Sequence, residues 1–256
     1  MVRTLIYGPV SSWRLGRSLG VDLLSTRGKT CSFDCIYCQL GRTLHPLIER
    51  KEFVSLDTLS LELERVTSLP VDYVTFSGMG EPTLAANLGE AIRLVKSVLA
   101  LPVAVLTNSS LITRDDVRAE LSLADVVVAK VDAPNEETFR HINRPIIEYT
   151  LNEILKSLMI FRKGYRGKLA LQMMFFDLNK DSAAEMARIA EQLSPDEVQI
   201  NTPLRPCDVR PLKPSQISDI EVAFSGIKRV VSVYESSRPE VIPLSPEETA
   251  LRRPER

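Results

Sequence analysis

Three cysteines lie within eight residues near the start of the chain, in the run Cys31-Ser-Phe-Asp-Cys35-Ile-Tyr-Cys38. Spacings of four and three residues place the three thiolates on one tight loop, where they can converge on a single metal centre. Three thiols this close cannot all pair as disulfides with one another, and a secreted disulfide scaffold is usually shorter and spreads its cysteines. The pattern therefore indicates a metal site.

Two kinds of metal centre fit three cysteines. A mononuclear structural zinc site needs four ligands, and His45 is the nearest candidate for the fourth. Short zinc loops more often use two-residue gaps and have a second ligand pair elsewhere, which disfavours this alternative. Three cysteines on four irons would instead leave one iron with an open coordination position, and an open position is typical of catalytic sites.

Hydrophobic periodicity predicts the elements that position these residues. Short β-branched runs alternate with stretches of helical spacing, as in βαβ units, and near-continuous apolar runs such as 125–132 predict a parallel sheet buried on both faces. The predicted strands are 19–24, 71–76, 103–107, 126–131, 169–176, 198–200 and 230–233. Six to seven βα units rather than eight predict an α/β fold with parallel strands, a partial (β/α)6 TIM-type barrel.

Helix starts are visible between these strands. The run Thr150-Leu-Asn-Glu153 is a capping-box pattern, in which each of the two side chains bonds the backbone amide of the other residue. The other predicted starts are Asp57, Pro82, Thr113 and Asp181, each followed by apolar residues at helical spacing.

Polar residues end several of the predicted strands. A parallel sheet puts its chemistry at the carboxyl ends of its strands, whether the sheet is closed or open. The candidates at these ends are Ser77-Gly78-Met79-Gly80-Glu81 after the second strand, Asn108 after the third, Lys130 and Asp132 at the fourth, and Asn201 after the sixth.

Two of these motifs resemble the radical S-adenosylmethionine (radical SAM) superfamily. Its CxxxCxxC signature follows the first barrel strand and has an aromatic residue before the last cysteine, here Tyr37. Its Gly-Gly-Glu-Pro-like run follows the second strand and is here Met79-Gly80-Glu81-Pro82, with Met79 for the first glycine. The resemblance covers residues 1–235. Residues 7–22, 131–145 and 201–207 are similar to a group related to, but distinct from, the tRNA wybutosine-synthesis radical SAM enzymes.

The resemblance implies a function for each motif. Cys31, Cys35 and Cys38 would hold a [4Fe-4S] cluster, whose fourth iron takes the amino and carboxylate groups of S-adenosylmethionine (SAM). An electron from an external donor of the flavodoxin or ferredoxin type would cleave SAM to methionine and a 5′-deoxyadenosyl radical, which abstracts hydrogen from a substrate. The implied cofactor-binding residues are Tyr37, Gly78, Met79, Gly80, Glu81, Asn108, Lys130 and Asp132.

Within that set the resemblance assigns Glu81 to the SAM ammonium, Tyr37 to the adenine, and Asn108 with either Lys130 or Asp132 to the SAM carboxylate or ribose. Each assignment has an alternative. Glu81 could simply open the next helix, since carboxylates favour that end. Asn108 could serve a turn, and a buried Lys130 must meet Asp132, another carboxylate or a ligand.

Cys207 and a set of basic residues are further candidates. Free cysteines are commonly buried and inert, but Cys207 follows the sixth predicted strand on the active-site side, where it could act as a hydrogen-atom donor, substrate anchor or extra ligand. Basic residues that could border the same mouth, and would suit an anionic substrate or a phosphate backbone, are Arg14, Arg17, Arg27, Lys29, Arg42 and Arg144. A solvated arginine face is the alternative.

Composition bounds the remaining possibilities. The chain has 256 residues, 44% hydrophobic and 25% charged, which is typical of a globular protein. Its net charge of −1 disfavours nucleic-acid binding through a bulk positive field, although a local patch could still bind. The uncharged stretch 97–113 contains Pro102 and does not resemble a membrane span, and the N-terminus lacks a signal-like apolar core. A cytoplasmic protein without membrane contact is expected.

The leading hypothesis is an oxygen-sensitive radical SAM enzyme whose domain covers residues 1–235. Residues 236–256 form a Pro-rich, charged tail, expected to lie over the body or to be mobile rather than to form a domain. RNA is the first candidate substrate, a partner protein that the enzyme activates is the second, and a small metabolite is the third. The rival hypothesis is a non-catalytic zinc or iron–sulfur protein that binds RNA or a partner.

Overall fold

An eight-stranded sheet organises the fold of residues 4–254, which the computed structural model describes. The strands are β1 (Ile6–Ser12), β2 (Gly16–Val21), β3 (Lys29–Cys31), β4 (Thr43–Pro46), β5 (Tyr73–Phe76), β6 (Val103–Thr107), β7 (Val126–Lys130), β8 (Lys168–Met174), β9 (Glu197–Asn201) and β10 (Val230–Ser232). The large sheet has the order β1-β2-β5-β6-β7-β8-β9-β10, and β3 pairs with β4 separately. Every pair in the large sheet is parallel except β1 with β2.

The sheet is an open, curled half-barrel, so the predicted partial TIM-type barrel is confirmed. All seven predicted strands are present as the parallel strands of this sheet. Strand β1 was not predicted, because Gly8-Pro9 interrupts its apolar pattern and the register with β2 shifts between Tyr7 and Val10. The added antiparallel strand forms one edge of the half-barrel, and β10 forms the other.

Helices cover the sheet between successive strands. They are α1 (Leu56–Glu64), α2 (Leu88–Leu99), α3 (Asp115–Leu121), α4 (Glu136–Asn143), α5 (Leu151–Gly164), α6 (Ala183–Leu193), α7 (Pro214–Ala223) and α8 (Pro246–Arg252), with short 3-10 helices at Pro82–Leu84 and Lys180–Ser182. The Thr150 capping box is confirmed, because Thr150 Oγ1 accepts from the Glu153 amide and the Glu153 carboxylate accepts from the Thr150 amide. None of the helices in residues 4–254 has both the length and the apolar character needed to cross a membrane.

The prediction of one continuous helix from Pro82 is wrong. A 3-10 helix ends at Leu84, the chain becomes extended at Ala85, and α2 begins only at Leu88. The reason is a side chain from elsewhere in the sequence, since the Arg50 guanidinium bonds the Thr83 and Ala85 carbonyls. The predicted starts at Thr113 and Asp181 shift in a similar way, to Asp115 in α3 and to Ala183 in α6 after a 3-10 turn.

The two faces of the sheet differ in what they bury. The main core lies between the sheet and the helices and includes fully buried Val74, Phe76 and Val105. A small separate cluster consists of Leu15, Ala104, Val126, Val128 and Ala170. Val128 and the neighbouring Leu106 also line a cavity at the carboxyl ends of the strands.

Helix α8 packs against the edge strand β1. The Gly8 amide donates to Thr249 Oγ1 at 3.1 Å, and the Leu244 amide donates to the Gly8 carbonyl at 2.6 Å. The described part of the predicted tail therefore lies against the body of the protein. The boundary at residue 235 itself stays a prediction.

Candidate active site at the carboxyl ends of the strands

A cavity of about 450 Å³ opens at the carboxyl ends of the parallel strands. A cavity of this size suits a small-molecule or cofactor site. The predicted site residues that line it are Cys31, Cys35, Tyr37, Cys38, Gly78, Gly80, Glu81, Asn108 and Lys130. Met79, Asp132 and Cys207 are not among its lining residues.

Cys31 ends β3, and Cys35 and Cys38 lie in the loop 32–42 between β3 and β4, called the cysteine loop below. Helix α4 anchors this loop from the side. The Asp34 amide donates to the Asn143 carbonyl at 3.1 Å, and the Ile36 amide donates to the Ile142 carbonyl at 3.0 Å. The backbone that carries the thiols is therefore held by tertiary contacts.

Each thiol has a nitrogen donor nearby. The side-chain amide of Asn108 lies 3.5 Å from Cys31 Sγ, and that of Asn143 lies 3.5 Å from Cys35 Sγ. The buried ammonium of Lys29 faces Cys38 as well as the other two thiols. Donors and positive charge beside sulfur ligands stabilise thiolates and adjust the properties of a bound metal centre.

Burial and charge set the protonation of these groups. Burial raises the pKa of Cys31 to about 12, although Lys29 opposes that rise, and burial likewise raises the pKa of Cys35. Burial of the Lys29 ammonium lowers its pKa, but the three neighbouring cysteines together raise it above its usual value. Because thiolates are the metal ligands, metal binding would release protons from Cys31 and Cys35.

Among the described residues, the donor set does not form a site for one zinc ion. Within the described residues, no group of three His, Cys, Asp or Glu side chains is arranged to hold a single ion. His45 is exposed, with its Nε2 3.0 Å from the Arg27 carbonyl. A four-iron cluster places its thiolates on different iron atoms, so it needs them further apart than a single ion does. The structure therefore gives no support to the Cys3His zinc alternative.

The segment 78–81 pairs with β3, which ends at Cys31. The Thr30 amide donates to the Met79 carbonyl at 2.8 Å, and the Glu81 amide donates to the Thr30 carbonyl at 3.2 Å. A Cβ atom on Gly80 would lie 1.5 Å from the Thr30 carbonyl oxygen, so only glycine fits there. Met79 is tolerated in place of a glycine because its contribution is a backbone carbonyl, and that carbonyl is already bonded to Thr30.

Glu81 is buried, and its carboxylate accepts hydrogen bonds from several protein donors. Its Oε1 accepts from the Thr83 amide, the Thr83 hydroxyl and the Thr107 hydroxyl at 3.1, 2.7 and 2.6 Å, and its Oε2 accepts from the Asn108 amide at 2.7 Å. Burial raises the pKa of Glu81, and these four bonds oppose the rise. Glu81 therefore does open the 3-10 helix, as its alternative role predicted, while Oε2, with a single bond, keeps acceptor capacity.

Asn108 makes the turn contact that was its alternative role, and its side-chain amide also reaches the cysteine loop. Its Oδ1 accepts from the Ser110 amide at 2.8 Å, which is a turn contact. Its Nδ2 lies 3.0 Å from Ser32 Oγ and also faces Cys31. Asn108 thus connects the end of β6 to the start of the cysteine loop while it lines the cavity.

Asp132 is fully engaged by the protein, so the suggestion that it contacts a ligand is not supported by its position. Its carboxylate accepts from the Tyr37 hydroxyl, from Asn143 Nδ2 at 3.1 Å and from the Met174 amide at 2.9 Å. Burial and the adjacent carboxylate raise the pKa of Tyr37 well above its usual value. Lys130 Nζ lies 3.7 Å from Asp132 and 4.5 Å from the centre of the Tyr37 ring, and its side chain faces the cavity. Of the two residues, only Lys130 lines the cavity.

Cys207 lies elsewhere than expected. It lines a second cavity of about 400 Å³ on the other side of the cysteine loop, together with Cys35 and Cys38. Its thiol donates to the Val209 carbonyl at 3.2 Å. Cys207 thus lines the second cavity and not the main one, and its role stays a prediction.

The basic residues divide in a way that the sequence did not show. Arg14 and Lys29 line the main cavity, whereas Arg17 pairs with Asp72 and Arg42 with Asp34, and neither Arg27 nor Arg144 lines it. Sequence analysis missed four arginines of the cavity wall, Arg205, Arg238, Arg252 and Arg253. Their separation along the chain left no local signal that could have found them as one group.

Comparison with known proteins supports the motif assignment. A family model described as Radical SAM superfamily matches residues 26–190. A UPF0026 protein of Methanocaldococcus jannaschii is 38% identical over 235 residues, covering 89% of this chain and 72% of the relative. Another, from Synechocystis sp., is 40% identical over 202 residues, covering 78% and 76%.

Solved structures share the fold. SuiB of Streptococcus suis bound to S-adenosylmethionine has a TM-score of 0.61 and 11% identity, covering 80% of this chain and 48% of SuiB. SuiB bound to the precursor peptide SuiA has a TM-score of 0.65 and 11% identity, covering 85% and 48%. This chain spans about half the length of SuiB, and at such low identity the likeness concerns the fold alone.

Proposed function

This chain belongs to the radical SAM superfamily, and we propose from that premise that its main cavity is the site of radical generation. Enzymes of this family use a [4Fe-4S] cluster and SAM. Cys31, Cys35 and Cys38 hold the cluster, and the strand ends around them hold SAM. When bound there, the cluster would supply the one-electron reduction of SAM, with an electron from an external donor, that breaks the C5′–S bond to methionine and a 5′-deoxyadenosyl radical for hydrogen abstraction from the substrate.

The observation that carries this proposal is the convergence of two sequence motifs on one cavity. The three thiols and the segment 78–81 lie apart in the sequence, yet both line it, and backbone hydrogen bonds join them through Thr30. A structural metal site would not need a second motif or an adjoining space for a ligand. The arrangement therefore supports a cofactor site with an open position.

Residues of this chain would bind the two ends of SAM. Glu81 Oε2 accepts from the ammonium, and the Lys130 ammonium meets the carboxylate or the ribose hydroxyls. Asn108 contacts Cys31 through its side chain and Glu81 through its backbone amide, so it holds the thiol beside the residue that binds the SAM ammonium. The Tyr37 ring, held by its hydroxyl bond to Asp132, supplies a flat apolar surface for the adenine.

The electron donor in this proposal is a flavodoxin or ferredoxin type protein, the reaction is of the oxidoreductase class, and the enzyme works in the cytoplasm. Its substrate is RNA. A protein substrate is the alternative, and what favours it is the structural likeness to SuiB, which has been solved with a precursor peptide.

The test is an anaerobic preparation with three measurements. Iron, sulfide and zinc are quantified on the purified protein, and then dithionite and SAM are added with and without total RNA. Mass spectrometry follows 5′-deoxyadenosine and altered nucleosides. We expect about four irons per chain, as the proposed cluster requires, and 5′-deoxyadenosine that depends on all three cysteines. One zinc per chain without iron would overturn the proposal.

A further inference from the structure

Four arginines meet at the open side of the half-barrel. Arg14 lies in the turn between β1 and β2, Arg205 follows β9, Arg238 follows β10 and Arg253 follows α8. All four line the main cavity. Since β1 and β10 are the two edges of the sheet, this arginine cluster spans the gap between the edges. The residues proposed above to bind SAM, by contrast, follow the central strands of the sheet.

Three of the four arginines lack an acidic partner among the residues that the structure describes. No ion pair within residues 4–254 involves Arg14, Arg238 or Arg253, whereas the adjacent Arg252 pairs with both Asp22 and Glu248. The Nε atoms of Arg14 and Arg253 are shielded from solvent and have no hydrogen-bond partner among the described residues. Guanidinium donors buried without an acceptor are costly, because they lose water and gain nothing in return.

Repulsion among the guanidinium groups also favours the binding of an anion. Burial and then the charges of Arg253, Arg205 and Arg238 lower the pKa of Arg14 to about 9. Burial, together with Arg238, also lowers the pKa of Arg253. Like charges held together at a cavity wall raise the local positive potential and favour an anion there.

We propose that the arginine cluster binds a phosphate group of a nucleotide in the substrate, with Trp13 as the surface for the base. This inference rests on the proposed function and names the substrate class of the same cavity. Phosphate suits the cluster because its several oxygens accept paired bonds from more than one guanidinium group. Trp13 also lines the cavity, and the Arg14 guanidinium lies 4.9 Å from the centre of its ring. An aromatic face beside an arginine is a common platform for a nucleic-acid base.

The backbone holds the cluster in advance of binding. Arg205, Arg238 and Arg253 each precede a proline, which keeps the preceding residue away from the helical region. The Arg205 guanidinium donates to the Arg253 and Pro254 carbonyls at 3.0 and 3.1 Å. Arg238 is exposed, so an RNA strand can approach from solvent and place one nucleotide inside. Such preorganisation reduces the entropy cost of binding.

The experiment measures binding without turnover. Fluorescence anisotropy follows a labelled single-stranded RNA oligonucleotide on cluster-reconstituted protein without reductant, over a range of salt concentrations. Arg14→Ala and Arg238→Ala are compared with Arg188→Ala, a control that removes the same charge from the exposed face of α6. We expect each cluster variant to weaken RNA binding about tenfold and to reduce the salt slope by about one, while Arg188→Ala binds as wild type does.

Competition identifies the group that is bound. Unlabelled RNA, a nucleoside 5′-monophosphate, the nucleoside itself and a polyglutamate peptide are added to the wild-type complex. Displacement by RNA alone assigns the phosphate to an RNA strand, and displacement by the monophosphate as well assigns it to any nucleotide. Equal displacement by the nucleoside or by polyglutamate would overturn the phosphate assignment.

Two controls separate failure of this inference from failure of the proposed function. A thermal melt of Arg14→Ala should show no loss of stability, because the substitution relieves repulsion, whereas a purely structural arginine would lower Tm. If wild type cleaves SAM but does not bind RNA or nucleotide, the inference is wrong and the proposed function stands. Weakened SAM binding in the cluster variants with unchanged RNA binding would also overturn it, since the anion would then be SAM's carboxylate.

Discussion

The three thiols of the candidate cluster site have different surroundings. Cys31 is buried and faces the Asn108 amide, Cys35 faces the Asn143 amide, and Cys38 lies in the loop beside Lys29. Because an amide donates a neutral hydrogen bond and an ammonium adds a full charge, the three sulfur atoms contribute unequally to the electrostatics of a bound centre. The residues beside each thiol would therefore affect the electrostatics of a bound centre, in addition to the ligation by the thiols themselves.

Replacement of any one of Cys31, Cys35 or Cys38 by Ala should abolish both cluster binding and SAM cleavage. Loss of one thiolate leaves two anchors for four irons, which is too few to hold the cluster. Iron analysis, the broad visible absorbance of the cluster and the yield of 5′-deoxyadenosine measure the two effects. A single variant that kept both iron and cleavage would contradict the assignment.

Cys207→Ala is the matched control for those variants. The Cys207 thiol bonds the Val209 carbonyl and faces the second cavity, so its removal should leave the iron content unchanged. Loss of iron in this variant would make Cys207 a ligand and would require a different ligand set.

Glu81→Ala should lower both SAM affinity and stability. If Glu81 accepts from the SAM ammonium, its loss weakens SAM binding by about 1.5 to 3 kcal/mol, or about one to two orders of magnitude. Stability should fall by at least about 1 to 3 kcal/mol, because donors of Thr83, Thr107 and Asn108 lose their buried acceptor. Calorimetric titration of SAM and a thermal melt measure the two effects separately.

Glu81→Gln separates the two roles of this side chain. It keeps a carbonyl oxygen for the protein donors but removes the charge, so its SAM affinity should fall while its stability falls less than that of the Ala variant. The iron content should not change in either variant. Wild-type SAM affinity in Glu81→Ala would remove Glu81 from the SAM site and leave only the capping role.

At the scale of elements, the short strand β3 links the two motifs. It carries Cys31 at its end, and Thr30 within it bonds both Met79 and Glu81 through the backbone. The backbone of Gly80 approaches Thr30 so closely that a side chain cannot be placed between them. The position of the thiol relative to the SAM motif is therefore determined by main-chain contact.

Gly80→Ala should separate β3 from the segment 78–81. The added methyl group would overlap the Thr30 carbonyl, so we expect a loss of about 1 to 3 kcal/mol in unfolding free energy and reduced iron retention. Urea unfolding and iron analysis measure the two effects. Gly164→Ala is the control, because open space surrounds Gly164 at the end of α5, and the change should stabilise by about 0.4 to 1 kcal/mol. Similar behaviour of the two variants would show that the Gly80 contact is unimportant.

At the scale of the whole molecule, the C-terminal segment completes the cavity wall. Arg252 in α8 is fully buried and pairs with Asp22 at 2.8 Å and with Glu248 at 2.7 Å, and its guanidinium also donates to the Thr4 carbonyl. Gln39 of the cysteine loop donates to the Arg252 carbonyl at 2.7 Å. The end of the described chain thus contacts both the first strands and the loop that carries the thiols.

Arg252→Ala should be strongly destabilising. It leaves the buried carboxylate of Asp22 without its cation, and removal of one partner of a buried pair typically costs about 3 to 5 kcal/mol. Urea unfolding gives the difference, with exposed Arg188→Ala expected to stay within about 0.5 kcal/mol of wild type. An equally small effect at Arg252 would mean that α8 does not contribute to the folded state in solution.

Local patterns were sufficient to predict most of the fold. The seven parallel strands follow from apolar runs of strand length, and the start of α5 follows from Thr150 and Glu153, because such signals depend only on neighbours in the sequence. The break between the 3-10 helix and α2 could not be predicted, because Arg50 bonds the carbonyls there from outside the segment.

For the candidate site, the sequence by itself determined the cysteine motif, the residues 78–81 and their place after strands, since spacing and strand order are properties of the chain. Only the tertiary structure decided which polar groups remain available. The Asp132 carboxylate accepts hydrogen bonds from Tyr37 and Asn143, and Cys207 lines the second cavity. The tertiary structure also brought four arginines from distant segments to one gap, because contact between such segments depends on how the sheet curls and on where α8 packs.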